Sequence, residues 1–375
     1  MKYTTVADCC KILDSQRVPV TASDRKSGPY PYYGANGVQD YVDDFIFDDE
    51  LVLVAEDGGH FGSKEHPIAY RVSGKCWVNN HAHVLKPLDY MDADYVCYSL
   101  MHYPVMTLIK GATRQKLNQA DLRKMKIIIR PLHEQKKIAS IIKRTERSIQ
   151  LYQAIAEQLD VLVKSRFVEM FGSPITNDKN LPIASLGSCL QGIENGKSFV
   201  CDSNSRTGKQ PGVLKLSAAT YGIYKPEENK AILSADDFVE QAEVHAGDLL
   251  FTRKNTPELV GMSAYVWQTP EKLMMPDLIF RLIPNQQMHP IFLWKLINHD
   301  VFRCKIQELA TGTAKSMSNI SKERLRNLEI IVPPIKLQNQ FADFVVQTDK
   351  SKFAIQQSID TLQTLKAKLM QDYFG

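Results

Sequence analysis

Apolar residues recur at Ile138, Ile142, Ile149, Tyr152, Leu159, Val163 and Met170, at steps of three, four or seven. That spacing marks one face of a long helix that needs a partner helix. Neither Gly nor Pro interrupts residues 132–171, and Phe171-Gly172-Ser173-Pro174 supplies a stop, with Gly at the C-terminal cap and Pro just beyond. The pattern returns at the end of the chain, where Phe341, Val345, Ile355, Ile359, Leu362 and Leu369 form the apolar face. The two stretches are copies of one repeat. Residues 131–172 match residues 334–375 without a gap, with Pro131/Pro334, Gln135/Gln338, Ala139/Ala342, Phe171/Phe374 and Gly172/Gly375 in register. The strand-like lead-ins Met125–Pro131 and Leu328–Pro334 repeat as well. A repeat of this length constrains the architecture more than any local propensity.

Outside the repeats the pattern shortens to that of strands. Phe45–Phe47 and Leu51–Ala55 are two apolar runs separated by acids and closed by an Asp-Gly turn, and two further short strands are expected around Ser73–Gly74. The Tyr-, Gly- and Pro-rich stretch at 29–42 predicts a loop running into a strand, and Asp94–Ile109 a helix ended near Pro104. Residues 175–333 alternate strand-like runs with turn residues, then give an amphipathic helical stretch from Pro290. The expected fold class is α+β. Two globular domains, 1–130 and 173–333, are separated by two long helices, 131–172 and 334–375, packed antiparallel. An approximate internal twofold axis relates the halves.

Composition is ordinary for a folded chain of this length, and no apolar run approaches the ~20 residues of a membrane span. The N-terminal stretch has no secretory pattern, and the seven cysteines form no C-x-x-C and no even framework, so a reducing, cytoplasmic setting is expected. Charge distribution adds more than the net +4. Residues 1–110 carry 10 Lys and Arg against 15 Asp and Glu, whereas residues 111–172 carry 13 against 6. The positive charge gathers where the first domain meets the first repeat, which suits a polyanion. A solvated basic helix face accounts for it equally.

Familiar catalytic motifs are missing. There is no G-x-G-x-x-G after a strand, and Gly196-Lys197-Ser198 ends like a phosphate loop but has Gln191 where the first Gly is due. Nothing resembles a nucleophile elbow or the Asn-Pro-Pro-aromatic signature of amino-methyltransferases. His60, His66, His81 and His83 are the densest histidine group, but no thiolate or clear third ligand completes a metal site, so neither metal nor cofactor is expected. The polar stretches that remain suit DNA. Small residues beside cations recur just before each return to a long helix, with Arg114 and Lys116 in the first copy and Lys315 in the second. Arg253, Lys254 and Asn255 follow a strand with groups able to reach base edges, and Lys197 is surface or DNA-facing. Tyr32, Tyr33, Asn36, Lys64, Asn80 and His81 offer similar groups in the first domain, although either tyrosine would serve equally as core.

These features together resemble the specificity subunit of type I restriction-modification enzymes. The resemblance is carried by the duplicated Gly-Thr-containing loop, strand and Pro-hydrophobic…Gln lead into each long helix, and spans essentially the whole chain. The stretches at 30–42, 77–85, 247–261 and 274–282 also match the family's target recognition domains. Arg130 replaces the first proline of the first copy, and Leu337-Gln338 replaces the Glu-Gln of the second. The resemblance implies a non-enzymatic reader of an asymmetric bipartite DNA site, one domain per half, with the helices as ruler. It also implies two modification subunits docked on the helices, where Tyr152 and Phe353 are candidates, and restriction subunits with motor activity. A self-sufficient methyltransferase or nuclease, and a coiled-coil scaffold that does not bind DNA, are the competing classes.

Overall fold

The computed structural model describes residues 2–63, 66–111, 115–311 and 317–375. The chain is α+β and divides into two units, one of Met1–Ala154 with Ile355–Gly375 and one of Ile155–Ala354.

The first unit contains strands β1 (Tyr3–Thr5), β2 (Cys10–Ile12), β3 (Ser27–Gly34), β4 (Gly37–Val42), β5 (Phe47–Ala55), β6 (Ala69–Val78), β7 (Ala82–Pro87) and β8 (Lys126–Ile128). Helices α1 (Val6–Cys9), α2 (Ala93–Met101) and α3 (Gln119–Lys124) lead to the first half of α4 (Leu132–Phe171). A six-stranded sheet runs β2-β7-β5-β6-β3-β4, antiparallel except between β3 and β6. Leu51–Ala55 is buried throughout because both faces of the sheet are covered. Val52 and Val54 face a core with α2 and α4, while Leu51 and Leu53 pack with Val72 and Val84.

Two local expectations change here. The acids after Phe47 do not separate two strands: Asp48, Asp49 and Glu50 lie inside β5, opposite Lys75, Gly74 and Ser73. Their charge is met across the sheet, Asp49 by Lys86 and Glu50 by Arg71. Ser73–Gly74 likewise lies within the ten-residue β6, and the break falls at Asn79–His81, where the Asn79 side chain accepts from the His81 backbone N–H at 2.8 Å. The helix expected over Asp94–Ile109 ends at Met101, and a single 3-10 turn, Val105–Thr107, follows Pro104.

The second unit contains β9 (Ile183–Ser185), β10 (Leu190–Asn195), β11 (Gly212–Leu214), β12 (Asn229–Ala231), β13 (Leu249–Thr252), β14 (Lys254–Asn255), β15 (Ser263–Tyr265), β16 (Leu273–Met274), β17 (Ile279–Pro284), β18 (Ser318–Asn319) and β19 (Glu329–Ile331). Its helices are α5 (Pro290–Ile297), α6 (Arg303–Glu308), α7 (Lys322–Arg326) and the first half of α8 (Ile335–Phe374). The main sheet is antiparallel, β10-β17-β13-β15, beside a three-stranded sheet β12-β11-β16. Phe167 is the hub of the core, with its ring against Phe171, Phe292, His299 and Phe341 at centroid distances of 4.9–5.7 Å.

The duplication persists element by element. A short ribbon, β1 with β8 in one unit and β9 with β19 in the other, stands before each long helix. Thr145 and Thr348, which correspond in the repeat, are both buried and donate to the carbonyls four residues back, Ile141 and Phe344. Gly172 has φ +69°, the left-handed cap that only glycine adopts freely.

Within each unit the long helices run antiparallel. In the first, Glu146 pairs with Lys366 at 2.7 Å, and the Arg130 guanidinium lies 5.8 Å from the Tyr373 ring. In the second, Asp160 pairs with Lys352 at 2.7 Å, and Arg166 lies 5.9 Å from the Phe344 ring. The apolar seams end inside the unit cores, at Ile138, Ile142 and Met370 in the first unit and Val163, Phe341 and Val345 in the second. Among the described residues, no helix is long and apolar enough to cross a membrane.

Candidate nucleic-acid interface

In the first unit the predicted polar residues converge on one short segment, Glu56–Gly58. The exposed Asn36, at the turn between β3 and β4, donates to the Gly58 carbonyl at 3.0 Å. His81, after the exposed Asn80, brings its Nδ1 to 2.5 Å from the Asp57 carboxylate, and its carbonyl accepts from the Glu56 N–H at 2.9 Å. Lys116 pairs with Glu56 at 2.9 Å and exchanges backbone hydrogen bonds with Lys110. Asn36, Asn80, His81 and Lys116 therefore come from three separate stretches to one rim. Lys64 and Arg114 lie outside the described residues.

The two tyrosines are less free than these residues. Tyr32 is 1% exposed, its hydroxyl bonded to the Val20 backbone and its ring under the Arg25 guanidinium at 4.2 Å. It holds the 20–25 segment to the sheet and has no free face. Tyr33 is half-buried against Tyr70 at 5.8 Å.

Beneath the rim lies a charged network that sequence reasoning missed. His83 is 0% exposed, with Nδ1 2.6 Å from the Asp14 carboxylate and Nε2 2.8 Å from the Leu117 carbonyl. Asp14 also accepts from the Val84 N–H at 2.9 Å and from Gln119 at 2.7 Å. Glu56 takes Arg17 at 2.6 Å on one oxygen and Lys116 at 2.9 Å on the other. Burial raises the Asp14 carboxyl, but the His83, Gln119 and Val84 donors outweigh it and leave the group below the usual carboxylate range. Burial likewise opposes ionisation of Glu56, and Arg17 and Lys116 reverse the balance. The ligand atoms of Asp14, Glu56 and His83 lie close enough to hold a cation. Yet both imidazole nitrogens face protein acceptors, and Arg17 and Lys116 already supply the positive charge, so the donor set does not suit a metal. The network instead anchors Lys116 and Leu117 to the sheet. The missed signal was not local: Asp14 and His83 are 69 residues apart and meet because β2 pairs with β7.

In the second unit two of the predicted cations stand by elements that meet at Asp277. Lys254 lies 3.7 Å from its carboxylate, and Ser198, next to the exposed Lys197, donates to it at 2.5 Å. The backbone of Lys197 reaches this place because Gly196 lies against the Met275 and Pro276 carbonyls, where a Cβ would come within 2.3 Å of both. Arg253 is half-buried, its guanidinium bonded to Asn319 at 3.1 and 3.2 Å and 5.1 Å from the Phe280 ring. Lys322, not among the predicted residues, approaches the same ring at 5.6 Å and donates to the Ile193 carbonyl at 2.6 Å. Burial, with Arg326 and Arg253 nearby, lowers its ammonium below the usual range. Asn255 is buried, its amide donating to Thr220 at 3.1 Å, so it supports the loop from within. Lys315 lies outside the described residues. On the long helices, Tyr152 is half-buried and Phe353 is 57% exposed.

Each unit thus presents cations and amides on a backbone anchored from below, an arrangement suited to phosphates and base edges. The chain is 25% identical over 354 residues to a putative type I restriction enzyme specificity subunit of Haemophilus influenzae, covering 92% of this chain and 86% of that one. It is 29% identical over 201 residues to the type I restriction enzyme EcoEI specificity subunit of Escherichia coli, covering 50% of this chain and 34% of the relative. A crystal structure of the type I restriction-modification system S subunit from M. genitalium shares the fold, with TM-score 0.66 at 13% identity over 100% of this chain and 96% of that one. The family model for the type I restriction modification DNA specificity domain matches residues 1–161 and 193–366, and the chain belongs to that family.

Proposed function

We propose that this chain is the sequence-reading, non-catalytic subunit of a type I restriction-modification complex in the cytoplasm. Residues 1–130 read one half of an asymmetric, gapped DNA site and residues 173–333 the other. The helices 131–172 and 334–375 set the gap and dock two methyltransferase subunits that modify adenine, with Tyr152 and Phe353 on the docking surface. Restriction subunits join the same assembly. The observation that carries this reading is that both halves of a family-matched chain present their own cluster, Asn36, Asn80, His81 and Lys116 in one and Lys197, Arg253 and Lys254 in the other. The clusters differ in sequence and geometry, so the half-sites differ.

Mapping methylated adenines in the host genome, with and without the gene, tests it. A gapped asymmetric motif that disappears on deletion supports the reading. An unchanged methylation map refutes it.

A further inference from the structure

The repeat contains a fully buried amide that the DNA-reading function leaves unused. Gln135 and Gln338 correspond in the repeat, and both are 0% exposed. A buried amide is retained only at a cost unless its hydrogen bonds are satisfied. Each of these makes the same three. The Gln135 oxygen accepts from the Asp92 N–H at 2.9 Å, and its nitrogen donates to the carbonyls of Tyr90 at 3.1 Å and Arg130 at 2.8 Å. The Gln338 oxygen accepts from the His289 N–H at 2.8 Å, and its nitrogen donates to the carbonyls of Gln287 at 2.9 Å and Pro333 at 2.7 Å. In both units the partners are the N-cap residue of a short helix, the residue two before it, and the residue five before the glutamine itself.

The short helices depend on this contact. An N-cap N–H is commonly closed by a Glu or Gln at the third helical position of its own helix. That position is Tyr95 in α2, whose hydroxyl is turned to the Ile128 carbonyl, and Phe292 in α5, which has no acceptor. The glutamine of the long helix takes the role from outside, so capping α2 or α5 and seating α4 or α8 are one event. Apolar neighbours such as Ile138, Ala139, Phe341 and Ala342 supply cohesion, but apolar contact is non-directional and permits small tilts. Three hydrogen bonds shared between two backbone segments do not.

Small tilts matter for a long lever. A helix of 40 residues extends ~60 Å, so a tilt of about 3° at its start moves its far end by ~3 Å, close to the rise of one base pair. We propose that Gln135 and Gln338 are positioning residues, each locking the first turn of a long helix onto its own unit and so fixing how many base pairs are accepted between the half-sites. This rests on the bipartite reading given above.

The test uses the full chain with its methyltransferase partners and duplexes whose gap is the native length, one pair shorter or one pair longer. Gln135→Met and Gln338→Met keep the side-chain volume and remove all three bonds. Each is expected to reduce the preference for the native gap on the order of tenfold, equivalent to about 1.4 kcal/mol, with the half-site bases unchanged. Hydrogen exchange at the Asp92 or His289 amide should accelerate in the matching variant alone. Gln135→Glu should regain part of the gap preference as pH falls, because the neutral acid recovers a donor. Unchanged gap preference in both methionine variants would overturn the proposal. So would loss of a cooperative melt in both, or equal loss of half-site and gap discrimination, since either would make the amide a requirement of folding rather than a joint. If the wild-type complex itself recognises no gapped site, it is the bipartite reading that fails.

Discussion

Replacing His83 with leucine tests whether the charged network holds Lys116 and Leu117 in place beneath the candidate DNA-facing rim. The imidazole is fully buried between the Asp14 carboxylate and the Leu117 carbonyl. Removing one member of a buried pair typically costs about 3–5 kcal/mol. Asp14 would keep the Val84 N–H and Gln119, which places the loss at the low end of that range. The abandoned Leu117 carbonyl adds about 1 kcal/mol, so His83→Leu should cost about 3–4 kcal/mol. Asp14→Asn in that background removes the uncompensated charge, and the double variant should cost about 1–2 kcal/mol less than the sum of the singles. Urea unfolding measures the energies, and hydrogen exchange at Lys110, Lys116 and Leu117 localises the loosening. The pH dependence has a defined sign. Asp14 is held below its ordinary range, so its contribution is present above the unfolded pKa, near pH 4, and disappears as pH falls through the folded value. Asp14→Asn should flatten that acid limb. A loss under about 1 kcal/mol for His83→Leu, or strict additivity of the two changes, would refute the network as the anchor of Lys116 and Leu117.

The second unit offers further tests. Burial pushes the Lys295 ammonium down to about 8, so the unfolded chain binds the extra proton between about pH 8 and 10, and stability should rise with pH across that window. Lys295→Met should abolish the rise and stabilise the protein at neutral pH by about 1–3 kcal/mol in thermal or urea melts; a destabilised variant with the alkaline rise intact would contradict this. Lys197→Ala and Lys254→Ala should each lower the slope of log affinity against log salt for DNA by about one, without moving the melting temperature. Asn255→Ala should do the reverse, lowering stability by about 1–2 kcal/mol through the lost Thr220 bond and leaving the salt slope unchanged.

The helical repeat was legible because its information is periodic and local. Ile138, Ile142, Phe341 and Val345 recur at helical spacing and are buried, and the motifs around them led to the family shown by the comparisons. The sheet was less legible where charge stood in for a turn. Asp48–Glu50 looked like an interruption because their partners Arg71 and Lys86 arrive from other strands. At the candidate interface, composition identified polar residues without saying which were free. Asn36 stands on the rim of the first unit and Lys254 beside Asp277 in the second, whereas Asn255, an amide like Asn36, is spent on Thr220 in the interior. His83 shows the same limit: its neighbours in sequence are apolar, and the groups that give it meaning lie across the sheet.

The long helices are shared between bodies in a way that bears on how such chains recombine. The second unit is one continuous stretch, Ile155–Ala354, whereas the first is interrupted by it and resumes at Ile355. A crossover within α4 and another within α8 would transplant an entire folded body with its core complete, Phe167 travelling together with Phe292 and Phe341. Crossovers at the starts of the helices would part those rings and leave each fragment with a mismatched interior. The breakpoints that exchange a whole folded body with least damage therefore lie in the middle of the long helices rather than at their starts.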